Sequence, residues 1–363
     1  MKQILLVVGT RPNLVKAAAL LAVMDGDPRF KMQFVHTGQH FDDNMSESFF
    51  RDLRICPPDV HLGVSAGSVV EQIAQILLRL EVEIRQQRPD LILVVGDVTS
   101  TLAAALAANK LSIPLAHVEA GLRSYDREMP EEINRRITDS LSDLLFTTCR
   151  EAQVNLMREG IEAQRIHFVG NVMVDTLLSN LERARLLQAW RAFDLPAGSY
   201  ALLTLHRPSN VDQQKTLEKW VDLLAALQAE IPVIFPIHPR TRARLDESGL
   251  LERLEGMPDL RVTPPLGYLE FLSLMAEARV VLTDSGGIQE ETTVLGVPCL
   301  TLRENTERPV TITEGSNQLV GVELDAILEA ARRVLHSAAP AGYKIPELWD
   351  GRAAARIAEI LAV

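Results

Sequence analysis

Short apolar runs alternate with stretches of helical periodicity along most of the chain, and this alternation limits the fold more than any other feature. The runs read Ile4–Val8, Met32–His36, Leu91–Val95, Leu115–Val118, Leu144–Thr147 and Ile166–Val169, then Ala201–Leu205, Val233–Ile237, Arg261–Thr263, Val280–Thr283 and Cys299–Leu302. Each is too short for a buried helix and too uniformly apolar for a strand with one face in water, so each needs cover on both faces. Between them lie helical patterns such as Val69–Gln87, with apolar residues at Val69, Val70, Ile73, Ile76, Leu77, Leu80 and Ile84. Strands alternating with such helices predict α/β architecture, with doubly wound parallel sheets. A polar, mostly helical stretch, Asp175–Ser199, separates the two series. The 363 residues therefore divide into two expected Rossmann-like domains, 1–170 and 171–350, and a helix near 351–363 is free to pack back on the first.

Composition narrows the class of function. With 47% hydrophobic and 23% charged residues the chain reads as an ordinary soluble protein. A formal charge of −11 speaks against nucleic acid or an anionic membrane as partner, yet allows an anionic small molecule in a locally positive site. No apolar run reaches the roughly 18 residues of a membrane span, and Met1-Lys2-Gln3 leads directly into a strand. A cytoplasmic enzyme or binding protein is the expectation. Cys56, Cys149 and Cys299 are far apart and form no C-x-x-C pair, which fits reduced core thiols.

Ligands of doubly wound sheets bind beyond the carboxyl ends of the strands. There the first series places Gly9-Thr10-Arg11-Pro12 with Lys16 one turn further, Thr37-Gly38-Gln39-His40, Gly96-Asp97, and Glu119 through Arg123. The second places His206-Arg207, His238-Pro239-Arg240, Asp284-Ser285-Gly286-Gly287 and Arg303. Eight such ends, four from each half, point to a cleft between two domains.

The most informative of them is "VVLTDSGGIQEETTVLG", Val280 to Gly296. Paired glycines at a strand–helix junction admit a close approach to the backbone, and a helix N-terminus favours an anion. The dipole alone contributes only about 0.3–1 kcal/mol. Arg11, Lys16 or Arg308 is therefore expected to join, since charge-assisted hydrogen bonds contribute about 1.5–3 kcal/mol each. Glu290 and Glu291, a turn beyond, suit the vicinal hydroxyls of a ribose. Phosphate and ribose together spell a nucleotide. The competing reading of the same segment is a capped helix with favourable acids in its first turn. NAD does not fit, because the first loop lacks G-x-G-x-x-G, and no G-x-x-x-x-G-K-[ST] or H-E-x-x-H motif is present. His117, two residues from Glu119, reads as a hydrogen-bonded core residue rather than a metal ligand.

Asp97, Glu119 and Glu131 are the acids expected on the first domain's side, Glu131 opening a helix after Pro130 in "MPEEINRR". Clustered carboxylates repel, so at least one is expected to hold its proton near neutrality. His206, from the second domain, has an ordinary pKa of about 6.5 suited to proton delivery.

The motifs "GTRPNLVK", "HTGQHFDDNM", "GDVTSTLAAALAA", "HVEAGLRS", "MPEEINR", "TLHRPSNVD", "PIHPRT", "TDSGGIQEE" and "RENTERP" occur in this order. In them the chain resembles the non-hydrolysing UDP-N-acetylglucosamine 2-epimerases from Lys2 to about Val320. The resemblance implies the GT-B fold, an active site between two Rossmann-like domains, a homodimer, and neither redox cofactor nor metal. It implies inversion at C2 of the sugar by elimination of UDP to a 2-acetamidoglucal and re-addition. It also implies roles: Asp97, Glu119 and Glu131 as catalytic carboxylates, and His206 as the group assisting UDP departure. Arg11, Lys16, Phe271, Ser285, Gly286, Gly287, Glu291 and Arg308 would hold the UDP-sugar. Gln39, His40 and His238 match a region where some members bind a second UDP-sugar as activator. Asn13, Pro208 and Leu266 depart from the common pattern. "HTGQHFDDNMSESFF" is also similar to 2-epimerases of UDP-2,3-diacetamido uronic acids. A hydrolysing relative, a GT-B glycosyltransferase and a UDP-sugar sensor are the remaining alternatives.

Overall fold

A computed structural model of the chain describes residues 1–38, 49–64, 67–337 and 343–363. The chain divides into two compact units, Met1–Ser179 with Glu347–Val363, and Asn180–Pro346. The division lies inside a continuous helix, Val172–Leu187, so the expected boundary at 170 moves into that helix, and the return at 350 moves to 346/347. Gln39 and His40 lie outside the described residues.

The first unit holds β1 (Lys2–Val8), β2 (Phe30–His36), β3 (Val60–His61), β4 (Leu91–Val95), β5 (Leu115–Ala120), β6 (Leu144–Thr147) and β7 (Ile166–Phe168). They form a parallel sheet in the order β3-β2-β1-β4-β5-β6-β7. The second unit holds β8 (Ala201–Thr204), β9 (Val233–Pro236), β10 (Leu260–Thr263), β11 (Val280–Thr283), β12 (Cys299–Thr301) and β13 (Asn317–Leu319), ordered β10-β9-β8-β11-β12-β13. The chain thus winds outward in one direction from β1 or β8, then restarts beside it at β4 or β11. Right-handed crossovers put the two sets of helices on opposite faces of each sheet. The α/β class and the doubly wound parallel sheets expected from the apolar runs are both found. The reversal points, between β1 and β4 and between β8 and β11, are where such sheets open a crevice at the strand ends.

Each unit buries its own core. In the first, Leu5, Val7, Ile92 and Val94 pack with Ile76, Leu80 and Ile84 of helix Val69–Gln87 and with Ala103, Ala104 and Ala107 of helix Thr99–Lys110. In the second, Leu203, Phe235, Leu282 and Leu300 pack with Trp220 and Leu224 of helix Gln214–Leu227 and with Ile327 and Val334 of helix Leu324–His336. Fully burying one large aliphatic side chain stabilises by about 1.5–3 kcal/mol, so each cluster is a substantial anchor. The apolar periodicity of helix Val69–Gln87 begins one turn too early: Val69 and Val70 stay 59% and 76% exposed. A capping box sets that end, Ser68 Oγ accepting from Glu71 N at 3.3 Å while Glu71 Oε2 accepts from Ser68 N at 2.7 Å.

The terminal helix, Ala353–Leu361, packs in the first unit against helix Arg11–Met24. Asp175 caps it, accepting from Ala353 N at 3.1 Å and Ala354 N at 2.7 Å, and Lys2 Nζ donates to Leu361 O at 2.8 Å. Cys149 and Cys299 are buried thiols, pushed up to about 12 by burial, whereas Cys56 is exposed and so is not the core thiol expected. No helix among the described residues is long and apolar enough to cross a membrane.

Candidate active site

In the first unit Glu119 lies near the end of β5, Asp97 follows β4, and Glu131 opens the helix after β5. Glu119 has φ +74°, and the β5–β6 register shifts between Val118 and Ala120. A bulge of this kind re-aims a side chain, and a left-handed backbone at a non-glycine residue costs about 1–3 kcal/mol, so its retention calls for a use. The carboxylate accepts a hydrogen bond from Lys16 Nζ, and both residues are buried. Gly96 lies against this pair at φ +69°; a Cβ there would sit 3.2 Å from Asn13 Nδ2 and Lys16 Nζ and 3.3 Å from Glu119 Oε2. Asn13, one of the departures from the family pattern, is a structural tie, donating to Val95 O at 2.6 Å and accepting from Thr10 Oγ1 at 2.6 Å.

Asp97 follows directly. Its Oδ2 is 3.4 Å from Arg135 Nη2, and its carbonyl accepts from Asn134 Nδ2 at 2.9 Å. Glu131, half-buried, stands in the first turn of helix Pro130–Leu141, the end where a negative charge is favoured. Its neighbour Glu132 is buried and engaged, accepting from Ser124 N at 2.8 Å and Tyr125 N at 3.3 Å. Of the two acids in "PEE", then, only Glu131 is left partly exposed. Arg11 begins helix Arg11–Met24 beyond β1, half-buried. His117 is a core residue, its ring between Asp139 Oδ1 at 2.7 Å and Gly96 O at 2.8 Å. Among the described residues no cluster of His, Cys, Asp and Glu is fit to hold a metal ion.

In the second unit the parallel pairing of β8 with β11 sets Thr204 beside Thr283, their hydroxyls 2.7 Å apart. Just beyond, His206 Nδ1 meets Asp284 Oδ1 at 2.8 Å. Asp284 also accepts from Arg207 N at 2.9 Å, His206 N at 3.0 Å and Asn210 Nδ2 at 3.1 Å. Burial pushes its carboxyl up, but the imidazole and the two backbone N–H groups outweigh burial and hold it at about 2. Asp284 therefore stays charged over the neutral range, orients the imidazole, and leaves Nε2 as the nitrogen that can exchange a proton. The ring of His238 lies 5.7 Å from that of His206, while its Nδ1 accepts from Arg240 N at 3.2 Å.

Ser285 caps helix Gly286–Leu295 without a side-chain bond, and no acid occupies the first turn, so the capped-helix reading of this segment does not hold. A Cβ at Gly286 would collide with the guanidinium of Arg308, so the close approach that the glycine permits is first of all that of an arginine. Arg308 donates to Glu307 Oε1, and its Nε lies 2.9 Å from Glu290 Oε1. Arg303 Nη2 is 2.8 Å from Glu307 Oε2, and Arg207 Nη2 is 3.6 Å from Glu307 Oε1. Against the upward push of burial, the charges of Arg308, Arg303 and Arg207 hold the Glu307 carboxyl well below the usual range. Three guanidinium groups, two carboxylates and a helix N-terminus make a locally positive site fit for an anion.

Glu290 is thus paired with Arg308, while Glu291 is buried beside Tyr268. Burial, reinforced by the neighbouring Glu290, raises the Glu291 carboxyl to about 8 against the hydrogen bond that Tyr268 donates at 3.3 Å. Phe271, one turn after Tyr268 in helix Tyr268–Ala276, is half-buried and so leaves part of its ring accessible. The sequence offered no pointer to Tyr268, to Arg135, or to Asp284 as the partner of His206. The last was available in principle, because strands β8 and β11 are neighbours in any doubly wound sheet of this order.

Comparisons with known proteins give the family. The family described as UDP-N-acetylglucosamine 2-epimerase matches residues 22–362. A UDP-N-acetylglucosamine 2-epimerase of Methanocaldococcus jannaschii is 41% identical over 98% of each chain. The UDP-2,3-diacetamido-2,3-dideoxy-D-glucuronate 2-epimerase of Pseudomonas aeruginosa is 42% identical over 99% of each chain. A crystal structure of the M. jannaschii enzyme in complex with UDP-GlcNAc and UDP superposes with a TM-score of 0.92, 41% identity and 99% coverage of both chains.

Proposed function

The chain belongs to the UDP-N-acetylglucosamine 2-epimerase family and is a nucleotide-sugar 2-epimerase, an isomerase; from that premise we propose that it interconverts UDP-N-acetylglucosamine and UDP-N-acetylmannosamine. The C2 proton of the sugar has no ring carbonyl beside it, so departure of the leaving group must drive its loss. A base takes that proton, the C1–O bond breaks, and UDP leaves with the bonding electrons, giving a 2-acetamidoglucal. UDP then adds back at C1 while a proton returns to C2 on the opposite face. No atom is gained or lost.

Ser285, Gly286, Gly287 and Arg308, with Arg11, stabilise the diphosphate as its charge develops. Glu291 holds a ribose hydroxyl, and Phe271 contributes an apolar surface for the base. His206, oriented by Asp284, gives a proton to the departing phosphate. Asp97, Glu119 and Glu131 carry the proton work at the sugar, and Lys16 holds the Glu119 carboxylate in place. The observation that supports this reading most is the arginine-flanked glycine turn at the start of helix Gly286–Leu295, beside a histidine fixed by a buried carboxylate. It is an anion site with a proton donor at its edge, as release of a diphosphate requires. A homodimer in the cytoplasm is part of the same proposal.

A second substrate, a UDP-2,3-diacetamido uronic acid, is favoured by the equally similar P. aeruginosa relative. Proton NMR of reactions with each sugar in deuterium oxide decides. The expected result is C2 inversion of UDP-N-acetylglucosamine with deuterium at C2; conversion of the uronate alone would shift the substrate, and no exchange in either would refute the reading.

A further inference from the structure

Arg135 is among the largest fully buried side chains of the protein, 1% exposed, in helix Pro130–Leu141. Its Nε donates to Glu131 O at 3.1 Å and lies 3.5 Å from Glu132 Oε2. Neither Nη1 nor Nη2 has a hydrogen-bond partner among the described residues, although Nη2 is 3.4 Å from Asp97 Oδ2. A buried guanidinium with idle donors is costly, and an apolar side chain of the same volume is generally the more stable filling. Its retention therefore calls for a use other than packing.

The neighbouring acids show what that use is. Glu119 has Lys16, and Glu132 has the backbone of Ser124 and Tyr125. Among the described residues Asp97 has only Arg135 as a cation within ion-pair distance, and the two idle N–H groups give that arginine room to grip it with both prongs. Glu131 and Arg135 are one helical turn apart, so one helix carries an acid and the cation for another acid on the same face. We propose, on the basis of the epimerase reading, that Arg135 is a positioning residue that holds the Asp97 carboxylate charged and aimed for proton transfer at the sugar.

The charged groups of the elements meeting at this point are Arg135, Glu131 and Glu132 on helix Pro130–Leu141, Lys16 on helix Arg11–Met24, and Glu119 at the end of β5. Only the first is altered in the test. The full-length chain is compared with Arg135→Met and Arg135→Lys for kcat, KM, the pH profile of kcat and the titration of the carbon-13-labelled Asp97 carboxyl, assigned with Asp97→Asn. In Arg135→Met, kcat should fall roughly 100-fold with KM within about threefold, the scale of a lost acid–base contribution. Its Asp97 carboxyl should titrate about one pH unit or more higher, and the acid limb of kcat should follow. Arg135→Lys should restore the titration and part of kcat. In the Asp97→Asn background, Arg135→Met should add no further loss.

A folded Arg135→Met with unchanged Asp97 titration and kcat within threefold overturns the proposal. If that variant does not fold, Arg135→Lys with Asp97 titrating as though uncharged neighbours surrounded it overturns it instead. The titration is read without turnover, so it judges Arg135 even if the wild type exchanges the C2 proton of neither sugar, a result that would refute the epimerase reading separately.

Discussion

Glu291 illustrates how the fold, rather than the residue type, sets the state of a functional group. Its carboxyl is raised to about 8 from an ordinary 4.5, so the native protein binds a proton there that the unfolded chain releases. The contribution of this group to stability is therefore fully present below about pH 4.5 and is lost as pH rises through about 8. Glu291→Gln removes the titration, and its melting temperature should vary less with pH than that of the wild type between pH 5 and 8; identical slopes would place the proton elsewhere. A neutral Glu291 also donates as well as accepts, which suits a sugar hydroxyl. At this scale the sequence was read unevenly. Paired glycines announced a close approach to the backbone, but the group that approaches Gly286 is Arg308, twenty-odd residues further along the chain. Composition cannot say which of several arginines folds back. Likewise the residues by themselves left the two glutamates equivalent, the resemblance alone picking out Glu291, and packing separates Glu290, paired with Arg308, from Glu291.

Among the elements, those covered on both faces were the easiest to find, because continuous burial forces continuous apolar runs. The two that escaped, Val60–His61 and Asn317–Leu319, are short edge strands that hydrogen-bond on one side only and need no such run. The bulge at Glu119 was equally hidden: the strand appeared to stop at Val118, whereas it continues to Ala120 with its register shifted. An extra residue in one strand shows only against its partner. The terminal helix offers the clearest test at this level. Asp175 holds its N-terminus through two backbone N–H groups although burial raises that carboxyl to about 6. Asp175→Ala should lower stability by about 1 kcal/mol, the usual worth of a side chain that caps helix N–H groups, while Asp175→Asn, with one acceptor oxygen for two N–H groups, should lose part of that. Denaturant titration of both variants checks this, and an unchanged Asp175→Ala would mean that apolar packing alone seats the helix.

For the molecule as a whole, a formal charge of −11 stands beside a UDP-sugar substrate that is itself anionic. The reconciliation is local: each unit repeats the same winding, and in the second Arg207, which follows β8, and Arg303 and Arg308, which follow β12, gather about Glu307. The central claim is that the bond between the sugar and UDP is broken and remade in every turnover. Positional isotope exchange measures this directly, with oxygen-18 placed in the bridge between C1 and the diphosphate of UDP-N-acetylglucosamine. The label should scramble into the non-bridging oxygens of the β-phosphate as epimerisation proceeds. Inversion at C2 with the label still wholly in the bridge would contradict the claim.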